Sequence, residues 1–361
     1  MSKLLAALVA GALVVTPVAP ALADSAPSVQ SRLDRLTTQD GMPGALSQVR
    51  DAGGGTVTVR SGTAERGTGK PMVGPDARFR IASMTKPVMA ATVLRLADQG
   101  RIDLDAPVER YLPGVVRGTG DGAAIDGRQI TVRMLLQQTS GLPEYVNAID
   151  WTAAFPDYLQ VALSLKPTAR GTFAYSNTNY LVAGMVVGAV TGKDFRQASR
   201  DLVLKPYGMR DSYWPAKDEY GLRGAHAHSY GVNLARPEDG VVDLTDQLPT
   251  YEFGAGGGLV STVADLNRFW SKAPLRTMTG RTVPVEQPGW PAGTTYGYGV
   301  ATIRSSCGHA LFHGGDLPGT SVLSGRGRGG RTATVHVTSL AATEEQRRHL
   351  LDAFDAALCS R

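Results

Sequence analysis

The chain has 361 residues, 42% of them hydrophobic and 19% charged, a balance that excludes both a disordered polymer and a bundle of membrane spans. Its length suffices for one large domain or two packed lobes with a substantial core. The formal charge of +5 suits anionic surroundings such as cell-wall polymer; nucleic acid is not expected as a partner, because the densest basic run, Arg326 to Arg331, has the glycine spacing of a hairpin turn.

Residues 1–23 read as a secretory signal. Lys3 provides a positive start, Leu4 to Val18 an apolar stretch, and Ala21-Leu22-Ala23 a small-residue cleavage site before Asp24. Pro17 and Pro20 interrupt that stretch and leave it short of the roughly 20 apolar residues that span a bilayer. Residues 24–361 are then expected as a secreted, monomeric chain of two lobes. An even cysteine count in an oxidising compartment favours a Cys307–Cys359 bond over two buried thiols.

In chain order, Val29 to Leu36 reads as a helix and Gly55 to Arg60 as a strand ending in a Ser61-Gly62 turn. Val88 to Asp98 is a strong helix closed by Gln99-Gly100, Thr131 to Gln138 a shorter one ending near Gly141, and Asn179 to Val190 a third. Ala310-Leu311-Phe312 has strand character and sets His313 at a strand edge. Ser321–Leu323 and Thr332–Thr338 bracket the arginine-rich turn, with Ala333, Val335 and Val337 on one face. Thr343 to Leu358 returns to helical spacing, burying Leu350, Phe354, Ala357 and Leu358. The expected class is α/β of the α+β type: one antiparallel sheet built from both chain ends and flanked by terminal helices, plus a largely helical lobe.

Three short segments carry candidate chemistry. In Phe79-Arg80-Ile81-Ala82-Ser83-Met84-Thr85-Lys86 a serine at a helix start is followed one turn later by a lysine on the same face. Lys86 can activate Ser83 if burial lowers its pKa, and the helix N-terminus offers N–H groups to an oxyanion. Tyr175-Ser176-Asn177 lies in a loop at a helix entrance, where a tyrosine can shuttle a proton and Asn177 can donate to a substrate carbonyl. His313-Gly314-Gly315-Asp316 brings bare backbone near a ligand, and the Asp316 N–H can join that of Ser83 as an oxyanion donor. Each segment alone has a bland reading, as a cap, a packing tyrosine or a turn.

Together and in this order, Ser-x-x-Lys, Tyr-x-Asn and His-x-Gly resemble the motifs of the serine β-lactamase and penicillin-binding superfamily. Leu135-Leu136-Gln137-Gln138-Thr139-Ser140-Gly141-Leu142 and Gly257-Gly258-Leu259-Val260-Ser261-Thr262 add to the likeness, which runs from about Val73 to Cys359. It is nearest to soluble, secreted D-alanyl-D-alanine carboxypeptidases, including the placement of Cys307 and Cys359. The resemblance implies a β-lactamase/D,D-peptidase-like catalytic domain over 24–361 that is acylated at Ser83 by peptidoglycan stem peptides and β-lactams. Lys86 and Tyr175 would be the proton-transfer pair, Asn177, His313, Gly315 and Asp316 would support and bind substrate, and neither metal nor cofactor would be required. Which of Lys86 and Tyr175 takes the first proton is open from sequence.

Departures concern the substrate anchor. Gly314 stands where a threonine is frequent in the peptidases, Asp316 adds a negative charge, and Tyr298 to Ile303 offers no arginine before Arg304. An esterase or class C-like β-lactamase is the enzymatic alternative, and a catalytically silent wall- or penicillin-binding module the non-enzymatic one. Gln138 also departs from the family, in which a histidine often precedes Thr-Ser-Gly.

Overall fold

A computed structural model describes residues 26–150, 153 and 155–359. The segment 1–23, expected to be a secretory signal, lies outside the described residues. Eight strands form the main sheet: β1 (Gly44–Arg50), β2 (Thr56–Gly62), β3 (Val283–Pro284), β4 (Thr295–Tyr296), β5 (Ala301–Ser305), β6 (Gly308–Leu317), β7 (Thr320–Arg326) and β8 (Thr332–Val337). Their order is β2-β1-β8-β7-β6-β5-β4-β3, and every ladder is antiparallel. The two chain ends therefore meet where β1 pairs with β8, Ala45 opposite Val337 and Val49 opposite Ala333.

Two-residue alternation decides what each face covers. Ala45 and Val49 of β1 and Ala333, Val335 and Val337 of β8 form a core with Val29, Leu33 and Leu36 of α1 (Ala26–Thr38). Leu350 and Phe354 of the closing helix Glu344–Cys359 complete it. The opposite face is partly polar, and helix Val263–Lys272 satisfies it. Asn267 Nδ2 donates to Gln48 O at 2.9 Å, Thr334 Oγ1 to Asn267 Oδ1 at 3.0 Å, and Trp270 Nε1 to Ser324 Oγ at 2.9 Å.

The helical part is organised around α2 (Thr85–Asp98), in which Arg95 alone among residues 85–96 is exposed. A helix apolar all round belongs in a core, and here it packs against α3 (Asn177–Thr191) and the turn Gly254–Gly257. Ser176 caps α3 by accepting from Thr178 N, and Gly192 closes it in the left-handed region at φ 68°. The candidate site lies where α2 and α3 begin and β6 passes.

Cys307 and Cys359 are bonded across 52 positions, tying the β5–β6 turn to the end of the closing helix. Closing a loop of that size restricts the unfolded chain, so reduction is expected to cost about 2–4 kcal/mol. Denaturant unfolding with and without reductant measures it; coincident midpoints would show that the bond contributes nothing.

Candidate active site

Ser83 sits in a short turn, Ala82–Met84, between the strand pair Phe79–Arg80/Val260–Ser261 and α2. Ile81 N donates to Leu259 O at 3.1 Å and Met84 N to Ile81 O at 3.0 Å. Between them Ala82 is held at φ 48°, a conformation that costs a non-glycine residue energy. The strain turns the chain sharply enough to present Ser83, half-buried, at the mouth of the helix while its neighbours Ala82 and Met84 remain buried.

One turn on, Lys86 is completely buried. Its Nζ donates to Ser83 Oγ at 2.9 Å, Asn177 Oδ1 at 2.7 Å and Gly256 O at 2.7 Å, so each ammonium proton has an acceptor. Burial nevertheless lowers its pKa from 10.5 to about 7, against the opposing pull of the Glu144 carboxylate. Tyr175 goes the other way. Its phenol interacts with Ser83, yet burial holds its pKa well above 10, and Lys86 Nζ lies 4.9 Å from its ring centre. The group able to accept a proton near neutrality is therefore Lys86, and Tyr175 is a neutral phenol able to relay one. These opposite directions favour Lys86 of the two acceptors that the sequence leaves level.

Asn177 is gripped from behind by Glu144, whose Oε2 accepts from Asn177 N at 2.8 Å and Nδ2 at 2.9 Å. This orients Oδ1 toward Lys86. Sequence reading missed Glu144, although it follows Gly141-Leu142 by only two residues. It also missed the carbonyl of Gly256, which belongs to a helical turn over Gly254–Gly257. A Cβ at Gly256 would lie 3.2 Å from Asn177 Oδ1, so a bare residue lets that carbonyl approach the lysine.

The third segment corrects an expectation. His313 is not at a strand edge: β6 continues through it to Leu317, and His313 pairs with Ser324 of β7. The extended strand is held because β7 supplies partners through Leu317 opposite Thr320. His313 Nδ1 donates to Gly314 O at 2.6 Å, which leaves Nε2 to accept from Tyr296 OH at 3.0 Å. Burial, aided by the charge of Lys86, pushes its pKa down to about 3, so it is a neutral hydrogen-bonding group. Gly315 passes so close to the serine turn that a Cβ there would lie 2.3 Å from Ile81 O. Asp316 accepts from Ser321 Oγ at 2.5 Å.

Two cavities meet at Ser83 and Asp316. One, of about 610 Å³, is walled by Tyr145, Val146, Phe155, Tyr220, Leu248 and Phe253. The other, of about 860 Å³, carries Gln287, Trp290, Glu344, Arg347 and Arg348. Arg304 lines neither; the cations near the site come from the closing helix instead. His226 and His228 form no metal cluster, and among the described residues none is found.

The sequence profile of the Beta-lactamase family matches residues 29–357. Penicillin-binding protein 4 of Amycolatopsis lactamdurans is 31% identical over 66% of this chain and 61% of its own length, and esterase EstB of Burkholderia gladioli 32% identical over 52% of each. The chain thus spans between half and two thirds of these relatives. Among solved structures, a D-stereospecific amidohydrolase from Streptomyces sp. superposes with a TM-score of 0.77 at 31% identity, covering 93% of this chain and 99% of that one. D-amino acid amidase from Ochrobactrum anthropi SV3, complexed with L-phenylalanine amide, gives 0.77 at 26%, covering 93% and 97%. A profile match over nearly the whole described chain, on the fold and serine–lysine geometry above, places the protein in the Beta-lactamase family, within the β-lactamase and penicillin-binding protein superfamily.

Proposed function

We propose that the protein hydrolyses amides, and more readily esters, of D-configured residues bearing large apolar side chains, through an acyl-Ser83 intermediate. The observation that carries this reading is the 610 Å³ apolar cavity opening onto Ser83, which is far larger than an alanyl methyl group and of the size and character that bind small organic ligands. The D-stereospecific amidohydrolase and D-amino acid amidase similarities support it.

In this reading neutral Lys86 takes the Ser83 proton as Oγ attacks the carbonyl carbon. The N–H groups of Ser83 and Asp316 stabilise the oxyanion. The carbon–nitrogen bond then breaks, and the proton passes through Lys86 and Tyr175 to the departing amine. Water, deprotonated by the same pair, releases the acid and restores Ser83. Asn177 positions Lys86, and His313 acts as a neutral hydrogen-bonding support.

A narrower reading, D-alanyl-D-alanine carboxypeptidase action on peptidoglycan stem peptides with β-lactams as acylating ligands, has one observation in its favour. Arg347 and Arg348 line the second cavity and can meet a terminal carboxylate, although Glu344 and Asp316 stand beside them. The N-terminal signal pattern and the disulfide support secretion in either case.

The test is release of ammonia from D-phenylalanine amide, D-alanine amide and L-phenylalanine amide, beside D-Ala release from an acyl-D-Ala-D-Ala peptide, with Ser83→Ala as control. D-phenylalanine amide is expected to exceed the others at least tenfold in kcat/KM. Dominant D-Ala release would establish the carboxypeptidase instead, and turnover of simple esters alone an esterase.

A further inference from the structure

Gln138 occupies an unfavourable conformation at φ 61°, just after the short helix Val132–Leu136, where glycine or asparagine is the usual choice. It is fully buried. Both of its carbonyl oxygens turn to the loop carrying Tyr175. The backbone oxygen accepts from Ala174 N at 2.8 Å, while Oε1 accepts from Ser176 N at 3.1 Å and Asn179 Nδ2 at 2.5 Å. The residues on either side of Tyr175 are thus fastened to one side chain and its own backbone. Tyr175 N itself is held by Gln287 Oε1 at 3.0 Å.

The other end of the amide is equally informative. The Gln138 amide interacts with the Tyr296 phenol, which in turn donates to His313 Nε2 at 3.0 Å. A strained backbone is unfavourable, and it persists where the surrounding structure makes use of the residue. Here the use is visible in the oxygens.

We propose that Gln138 is a positioning residue for Tyr175, fixing the tyrosine loop from both sides and linking it through Tyr296 to His313. The assignment rests on the acyl-serine reading above. It explains why glutamine serves at this place: an amide gives a permanent acceptor to Ser176 N and Asn179 without adding a titrating group between Tyr175 and His313.

Gln138→Met keeps length and volume and removes the side-chain acceptor. With p-nitrophenyl butyrate as the probe, kcat is expected to fall at least tenfold while KM stays within twofold, and the same substitution in a Tyr175→Phe background is expected to cause less than a twofold further loss. An equal loss in both backgrounds, parallel changes in kcat and KM, or unchanged kcat would overturn the proposal. Should Gln138→Met fail to fold, Gln138→Glu replaces it: the acceptor is retained but a carboxyl is introduced, so a new ionisation in the kcat profile at unchanged KM is expected, and a wild-type profile would overturn the assignment. Absence of Ser83-dependent turnover in the wild type would instead overturn the acyl-serine reading, and the positioning role with it.

Discussion

Replacing Lys86 with methionine is expected to lower kcat/KM by about a hundredfold to ten-thousandfold, the range contributed by a positioned general base acting on a weak nucleophile. Methionine fills the space but leaves Ser83 Oγ, Asn177 Oδ1 and Gly256 O without their shared donor. Because burial brings the lysine pKa to about 7, the wild-type rate carries a diagnostic pH dependence. In the proposed mechanism the active form is the neutral amine, whose fraction grows with pH and is half-maximal near 7. The rate is therefore expected to rise tenfold per unit below that point and to level off above it. At pH 5 it should be about a hundredfold below the plateau, since two units below the pKa only ~1% of the base is neutral. Steady-state rates from pH 5 to 9 on wild type and Lys86→Met test both statements. A flat wild-type profile, or a methionine variant retaining a tenth of the activity, would remove Lys86 from the proton path.

What the sequence reveals of this arrangement follows from the range of the interactions. Ser83 and Lys86 lie three residues apart on one helix face, so their proximity is legible from spacing alone. Long periodic elements were equally readable: the helix expected over Val88–Asp98 runs from Thr85 to Asp98, and the one expected over Thr343–Leu358 runs from Glu344 to Cys359. Strand β1 escaped because Ser47 and Gln48 break its apolar pattern, and the partner that satisfies Gln48 is Asn267, 219 positions away. Glu144 and Gly256 escaped for the same reason. Their contacts with Asn177 and Lys86 span 33 and 170 positions, and a carboxylate or a glycine carbonyl carries no local sign of its distant partner. The β6 boundary was placed too early because Gly314 and Gly315 read as turn residues, whereas pairing with β7 keeps them extended.

Those two glycines differ in how much they can tolerate, and Gly315→Ala should be the most damaging single methyl group in the site. At Gly314 a Cβ would meet the flexible end of Leu323 at 3.1 Å, which can move aside. At Gly315 it would meet Ile81 O at 2.3 Å, Ala82 Cβ at 3.1 Å and Met84 N at 3.1 Å, two of these atoms belonging to backbone of the turn that presents Ser83. No rotamer relieves such a clash, because a Cβ has none, so either β6 or the serine turn must retreat by an appreciable fraction of an ångström. The gap between them is where the Asp316 and Ser83 N–H groups would hold the oxyanion, and a misplacement near 1 Å can cost about a hundredfold in rate. Gly315→Ala is accordingly expected to lower kcat by about a hundredfold, with Gly314→Ala within about threefold of wild type. Measuring single-turnover acylation on both variants separates the two positions. Equal, mild effects would show that the strand and the serine turn can part without disturbing the oxyanion donors, and would move oxyanion stabilisation away from Asp316 N–H.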